Sequence, residues 1–95
     1  VLGRNVEAGV GEADLVCLAP DRRTIVIVEV KTRRGGAGFA PETAIGAAKR
    51  RKLEQVARAL IKRKRWQDRP VRIEAVAVEW PERGRPIVRR FRVEP

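Results

Sequence analysis

Histidine is absent from this chain of 95 residues, and so are methionine and tyrosine. Without histidine there is no Ser-His or Cys-His catalysis and no histidine-ligated zinc, which leaves carboxylates as the credible metal ligands. The single cysteine, Cys17, cannot form an internal disulfide, and its place in an apolar run reads as core rather than nucleophile. Only four aromatic residues occur, Phe39, Trp66, Trp80 and Phe91, too few for the aromatic stacking platforms of RNA-recognition or single-strand-binding sheets. The longest apolar run, residues 24–28, is far too short to span a bilayer, and no signal-peptide pattern is present. The expected compartment is therefore the cytoplasm, with no membrane partner. No Gly-Lys-Ser/Thr opens a helix, and Gly9-x-Gly11 is too short for a dinucleotide fingerprint. With Val at position 1 and no Met, an initiator and further residues are expected upstream.

What is present is positive charge, and it is focused. The chain carries 22 Lys and Arg against 12 Asp and Glu, a net charge of +10. Residues 1–45 are balanced, whereas residues 49–65 hold nine basic side chains against Glu54 alone. A field concentrated in this way attracts a polyanion, and nucleic acid is the commonest in the cytosol. The alternative is a solvated helix face.

The length sets one small domain, residues 1–95, with room for one sheet and a helix or two. A short strand is expected over residues 4–8, then two apolar strands over residues 13–19 and 24–31. If Asp21 and Arg22 form a two-residue hairpin loop, Asp14 lies opposite Glu29 and Glu12 opposite Lys31. Side chains alternate with period two, so Glu29 and Lys31 share a face, and opposed residues share it too. Two carboxylates, a third at the rim and a lysine then converge, in strands otherwise apolar on both faces. Charges in such a setting must be paired, metal-bound or at an edge. The pattern has the makings of a metal-dependent phosphodiester-cleaving site; its plainer reading is a cluster of salt bridges from Lys31 to Glu29 and Glu12.

Residues 33–39 read as a flexible basic loop that includes Arg33 and Arg34. From about Ala47, apolar residues at Leu53, Val56, Ala57, Leu60 and Ile61 recur at helical spacing. Lys49 stands four residues before Leu53 on that stripe and so points toward the sheet. Arg50, Arg51, Lys52, Arg58 and Lys62 are left as candidate contacts to nucleic acid, together with Lys49, Arg33 and Arg34. Pro70 bars the helix, residues 71–80 alternate as a long strand, and residues 87–93 follow as another. Trp80 and Phe91 are expected to pack in the core or at an edge. With so few aromatics, binding through phosphates and shape is favoured over base reading.

At Arg4-Asn5-Val6, Gly11-Glu12-Ala13-Asp14-Leu15, Val28-Glu29-Val30-Lys31-Thr32-Arg33, Lys49-Arg50-Arg51-Lys52-Leu53 and the strand 71–78, the chain resembles the YraN-like family of bacterial proteins. That family is similar in turn to archaeal Holliday-junction resolvases and to the PD-(D/E)XK, restriction-endonuclease-like nucleases. The resemblance implies an α/β fold: a mixed β-sheet flanked by helices, with the family's N-terminal helix, and a glutamate it carries, missing from this chain. It matches Asp14 to the motif aspartate, Glu29 and Lys31 to the E-x-K pair, and Lys49 to a basic residue opening the following helix. Ala13 replaces a larger aliphatic residue, and Glu74 stands where aspartate is common.

The resemblance implies a metal-dependent endonuclease hydrolysing DNA, including branched or damaged DNA, and a homodimer as its oligomeric state. Asp14, Lys31 and Glu29 are the expected catalytic residues. Mg²⁺ or Mn²⁺ would be held by Asp14, Glu29 and the Val30 carbonyl, with Glu12 acting through water or restraining Lys31, since hard cations prefer oxygen ligands. The second function class is a non-catalytic nucleic-acid-binding module on the same fold, and the third a domain whose positive face meets an acidic protein.

Overall fold

The computed structural model describes residues 1–34 and 45–93. The elements follow in the order β1 (Gly3–Glu7), β2 (Glu12–Leu18), β3 (Ile25–Arg34), α1 (Ala47–Lys64), β4 (Val71–Trp80) and β5 (Ile87–Arg92). The strands keep chain order in one five-stranded sheet, antiparallel throughout except for the parallel β3–β4 pair. A parallel neighbour cannot be reached by a hairpin, and α1 provides the crossover. The protein is thus an α/β mixed sheet, consistent with a restriction-endonuclease-like core. Among the described residues one helix, α1, lies against the sheet.

The β2–β3 hairpin has the expected register, from Leu18↔Ile25 to Leu15↔Val28. Its loop is four residues rather than two: the Ala19 N–H donates to the Thr24 carbonyl at 2.9 Å and the Arg22 N–H to the Ala19 carbonyl at 2.9 Å. Both loops centre on the same point, so the register is unaffected. The Asp21 carboxylate ties the turn, with Oδ1 accepting from the Arg23 and Thr24 N–H groups and Oδ2 from the Thr24 hydroxyl, at 2.8, 2.8 and 2.7 Å. Those donors favour the charged form and hold its pKa down at about 2, from an ordinary 3.8, the Thr24 N–H contributing most.

The apolar stripe of α1 buries Leu53, Val56, Ala57 and Leu60. Val56, Ala57 and Leu60 pack with Ala8, Ala13, Val16, Ile25 and Ile27 in one cluster, and Trp66 lies against it, half-buried. Each large aliphatic side chain fully removed from water there stabilises the fold by about 1.5–3 kcal/mol. A second cluster on the opposite face joins Ala19, Val26 and Val28 to Leu15, Cys17, Val30 and Val76. The two clusters divide β3 by strict alternation, Ile25 and Ile27 on the helix side and Val26 and Val28 on the other. Cys17 is thus half-buried among apolar neighbours, as expected.

Two further expectations are corrected. Arg33 and Arg34 belong to β3 and not to a loop, because β4 runs on beside them, Arg33↔Glu79 and Arg34↔Trp80. The rest of that expected loop, residues 35–39, lies outside the described residues. Trp80 is 48% exposed at the end of β4 rather than packed, whereas Phe91 is half-buried.

Candidate active site

Glu29 is the centre of the site. It follows Ile25 and Ile27 on the helix face of β3 and is only 5% exposed. Such a carboxylate is tolerated only when compensated, and two cations do so: Lys49 Nζ lies 3.1 Å and Lys31 Nζ 3.7 Å from Glu29 Oε1. Lys31 reaches it from two residues along the same strand face, and Lys49 comes down from the first turn of α1. The parallel partners of Glu29 and Lys31 on β4 are Ala75 and Ala77, both buried. Small side chains at these two positions leave room for the charged ones beside them.

The helix is built to place a cation here at some cost. Its N-cap is Gly46, which makes no side-chain bond, and its first turn has no acidic residue. A basic residue near the positive end of a helix dipole is disfavoured, so the Glu29 carboxylate is what makes the position of Lys49 tenable. At the other end Lys62, Arg63 and Lys64 complement the dipole, and Arg65 closes the helix in the left-handed region at φ 58°.

Asp14 sits on β2 where regular pairing ends. The ladder with β3 stops at Leu15↔Val28, and one residue further the Asp14 Oδ2 accepts the Val30 N–H at 2.8 Å. The carboxylate therefore takes the place of a backbone partner in the gap between β2 and β3. In a strand, the N–H and C=O of one residue point to the same side, so the Val30 carbonyl faces this gap too. The break also appears in the packing. Strict alternation would put Ala13 on the opposite face from Val16, yet both are buried in the helix-side cluster. On β1, between the pairs Arg4↔Leu15 and Val6↔Ala13, Asn5 takes a left-handed φ of 49°.

The structure thus brings Glu29, Lys31 and Lys49 together and anchors Asp14 to the strand that carries them. Glu12 is exposed and pairs with Glu7 on β1. Among the described residues no three His, Cys, Asp or Glu side chains are grouped so as to hold a metal between them. The oxygen donors of the candidate site are Asp14 and the Val30 carbonyl at the gap and Glu29 on the helix face. This all-oxygen set suits a hard cation that keeps several waters, such as Mg²⁺ or Mn²⁺.

Of the basic candidates, Arg51, Lys52, Arg58 and Lys62 are exposed on α1, while Arg50 is half-buried with its Nε 3.9 Å from Glu54. Arg33 and Arg34 are exposed at the end of β3. One charged cluster was not anticipated. Glu74, buried on the face opposite the helix, is held by Arg72 Nε at 2.6 Å and Arg90 Nε at 3.4 Å. Glu74 pairs with Val28 on that face. Among the described residues no helix is long and apolar enough to cross a membrane.

Comparison with known proteins gives a consistent answer. The model of the Uncharacterised protein family UPF0102 matches residues 1–78. A UPF0102 protein of Geotalea daltonii is 35% identical over 90% of this chain and 66% of its own length. For one of Syntrophotalea carbinolica the figures are 38%, 82% and 62%, and for one of Symbiobacterium thermophilum 40%, 90% and 70%. The chain spans about two thirds of the length of these relatives. A family match across most of the chain, with relatives of this similarity, settles its kinship: the chain belongs to UPF0102, the YraN-like family.

Proposed function

We propose that the protein is a metal-dependent endonuclease of the restriction-endonuclease-like class, acting on DNA. The observation that carries this reading is the buried Glu29 carboxylate, met by Lys31 and Lys49, on a strand whose next residue, Val30, donates its N–H to the Asp14 carboxylate. Asp14, Glu29 and the Val30 carbonyl would hold Mg²⁺ or Mn²⁺. The ion, when bound, polarises the scissile phosphate and lowers the pKa of a coordinated water.

The chain's own groups do the rest. Asp14 keeps its place because the Val30 N–H holds one of its oxygens, leaving the other for ligation. Lys31, on the strand face of Glu29, orients the attacking water and meets charge developing on the phosphate. Lys49 releases part of its hold on Glu29 and turns to a phosphate oxygen. The basic side chains of α1 hold the flanking backbone and carry no base information.

A second reading, a nucleic-acid-binding module without catalysis, draws on a different observation: two lysines already neutralise Glu29, and the described residues contain no three-carboxylate group. One titration separates the two. Mg²⁺ or Mn²⁺ is added while metal binding and cleavage of labelled branched and linear DNA are followed together. Cleavage that requires the metal supports the nuclease; DNA binding without cleavage supports the module.

A further inference from the structure

Lys49 and a metal ion have a claim on the same carboxylate. Lys31 comes from β3 itself, two residues along from Glu29, whereas Lys49 comes from α1 and makes the shorter contact, 3.1 Å against 3.7 Å. Among the described residues Glu29 is the only ion-pair partner of Lys49, and the first turn of α1 offers no acidic residue in its place. The Lys49 side chain is nevertheless 42% exposed, so its ammonium can reach a ligand on the surface. A dication on either oxygen of Glu29 stands against that ammonium, and like charges this close repel strongly where water is largely excluded. Once displaced, Lys49 is a cation near the positive end of a helix with no counter-ion. A phosphodiester supplies one.

We propose that Lys49 couples the two ligands of this site: it competes with a divalent metal for Glu29, and a DNA phosphate that draws it away raises the metal affinity. The inference rests on the metal-dependent nuclease reading above and adds to it an order of assembly. Without DNA the Lys49 pair with Glu29 opposes ligation; with DNA bound, the carboxylate is released for it. By linkage the metal raises DNA affinity by the same factor. The effect belongs to the pairing and not to positive charge in general. Arg51, two residues further on, is exposed and has no ion pair among the described residues, so it has no hold on Glu29 to release.

The test measures Mn²⁺ binding from the electron paramagnetic resonance of the free ion, with and without a phosphorothioate duplex that resists hydrolysis. The proteins are the wild type, Lys49→Met, Arg51→Met and Glu29→Gln, the last giving the background of ions held elsewhere. Without DNA, Lys49→Met should bind Mn²⁺ about tenfold more tightly than the wild type, a usual size for coupling between two sites. Arg51→Met should stay within about threefold of the wild type, because an exposed charge is screened. The duplex should raise the wild-type affinity by about tenfold and that of Lys49→Met much less. Mn²⁺ should also raise the melting temperature of Lys49→Met more than that of the wild type, a readout that holds if the variant is less stable. Equal Mn²⁺ affinity of the wild type and Lys49→Met without DNA would overturn the proposal, as would an equal gain in Arg51→Met or the same enhancement by DNA in both proteins. Wild type that binds no Mn²⁺ above the Glu29→Gln background, with or without DNA, would overturn the metal reading itself; wild type that binds Mn²⁺ but no DNA would overturn the nucleic-acid reading.

Discussion

The ammonium of Lys49 lies 3.1 Å from the Glu29 carboxylate, joining the first turn of α1 to the middle of the sheet. A cation near the positive end of a helix and a carboxylate 5% exposed in a sheet are each unfavourable alone. Together they fix the helix start over the site. Lys49→Ala should therefore lower cleavage more than DNA binding, because Lys49 is tied to the sheet while its neighbours face outward. Cleavage rate and binding constant on the same DNA check this, and equal losses would make Lys49 an ordinary phosphate contact.

The basic helix makes a separate prediction. If several of its side chains contact phosphates, log affinity should fall with log salt at about −0.9 per neutralised phosphate on duplex DNA. Charge reversal at Arg50, Arg51 and Lys62 should flatten that slope and lower affinity about equally for unrelated sequences. Titrations at several salt concentrations measure both effects.

Asp21 makes stability depend on acid. Its pKa is held at about 2 in the fold against an ordinary 3.8, so its contribution is complete above about 4 and disappears as pH falls toward 2. Asp21→Asn should lower the melting temperature by a few degrees at neutral pH, and the gap from the wild type should close through that acid window. Thermal melts of both proteins across the window decide it. A constant gap would remove the turn hydrogen bonds as its cause.

Helix and sheet approach closely at Gly11. A Cβ there would lie 3.0 Å from Val56 Cγ2 and 3.2 Å from Lys52 Cε. Lys52 can swing away, but Val56 is 1% exposed and packed on all sides. Gly11→Ala should cost about 1 kcal/mol or more by overpacking, and less of that cost should appear in a Val56→Ala background. Urea unfolding of the four proteins in this cycle measures the coupling.

Much of this arrangement was legible in the sequence because β-strand periodicity leaves little freedom. Once Pro20 to Arg23 is a turn, Ile25, Ile27, Glu29 and Lys31 must share a face, and the helical spacing of Lys49 and Leu53 aims Lys49 at that face. The break at Asn5 and Asp14 was not legible. Ala13 and Val16 are buried on the same side, across from a left-handed residue on β1, and pairing rules that assume regular strands cannot foresee this. The clamp of Arg72 and Arg90 on Glu74 was hidden for another reason: it needs the β4–β5 register, set by a six-residue turn with several acceptable alignments.

The central claim is that Glu29 takes part in chemistry rather than only in structure. Its most direct test is Glu29→Gln, which keeps the shape of the side chain and removes its charge. The wild type should cleave labelled DNA only with Mg²⁺ or Mn²⁺. The variant should lose about a hundredfold or more of that rate while binding the same DNA within about threefold, since the affinity comes from the basic helix. A folded Glu29→Gln protein that cleaves at the wild-type rate, or a wild type that binds DNA and never cleaves it with either metal, would contradict the account.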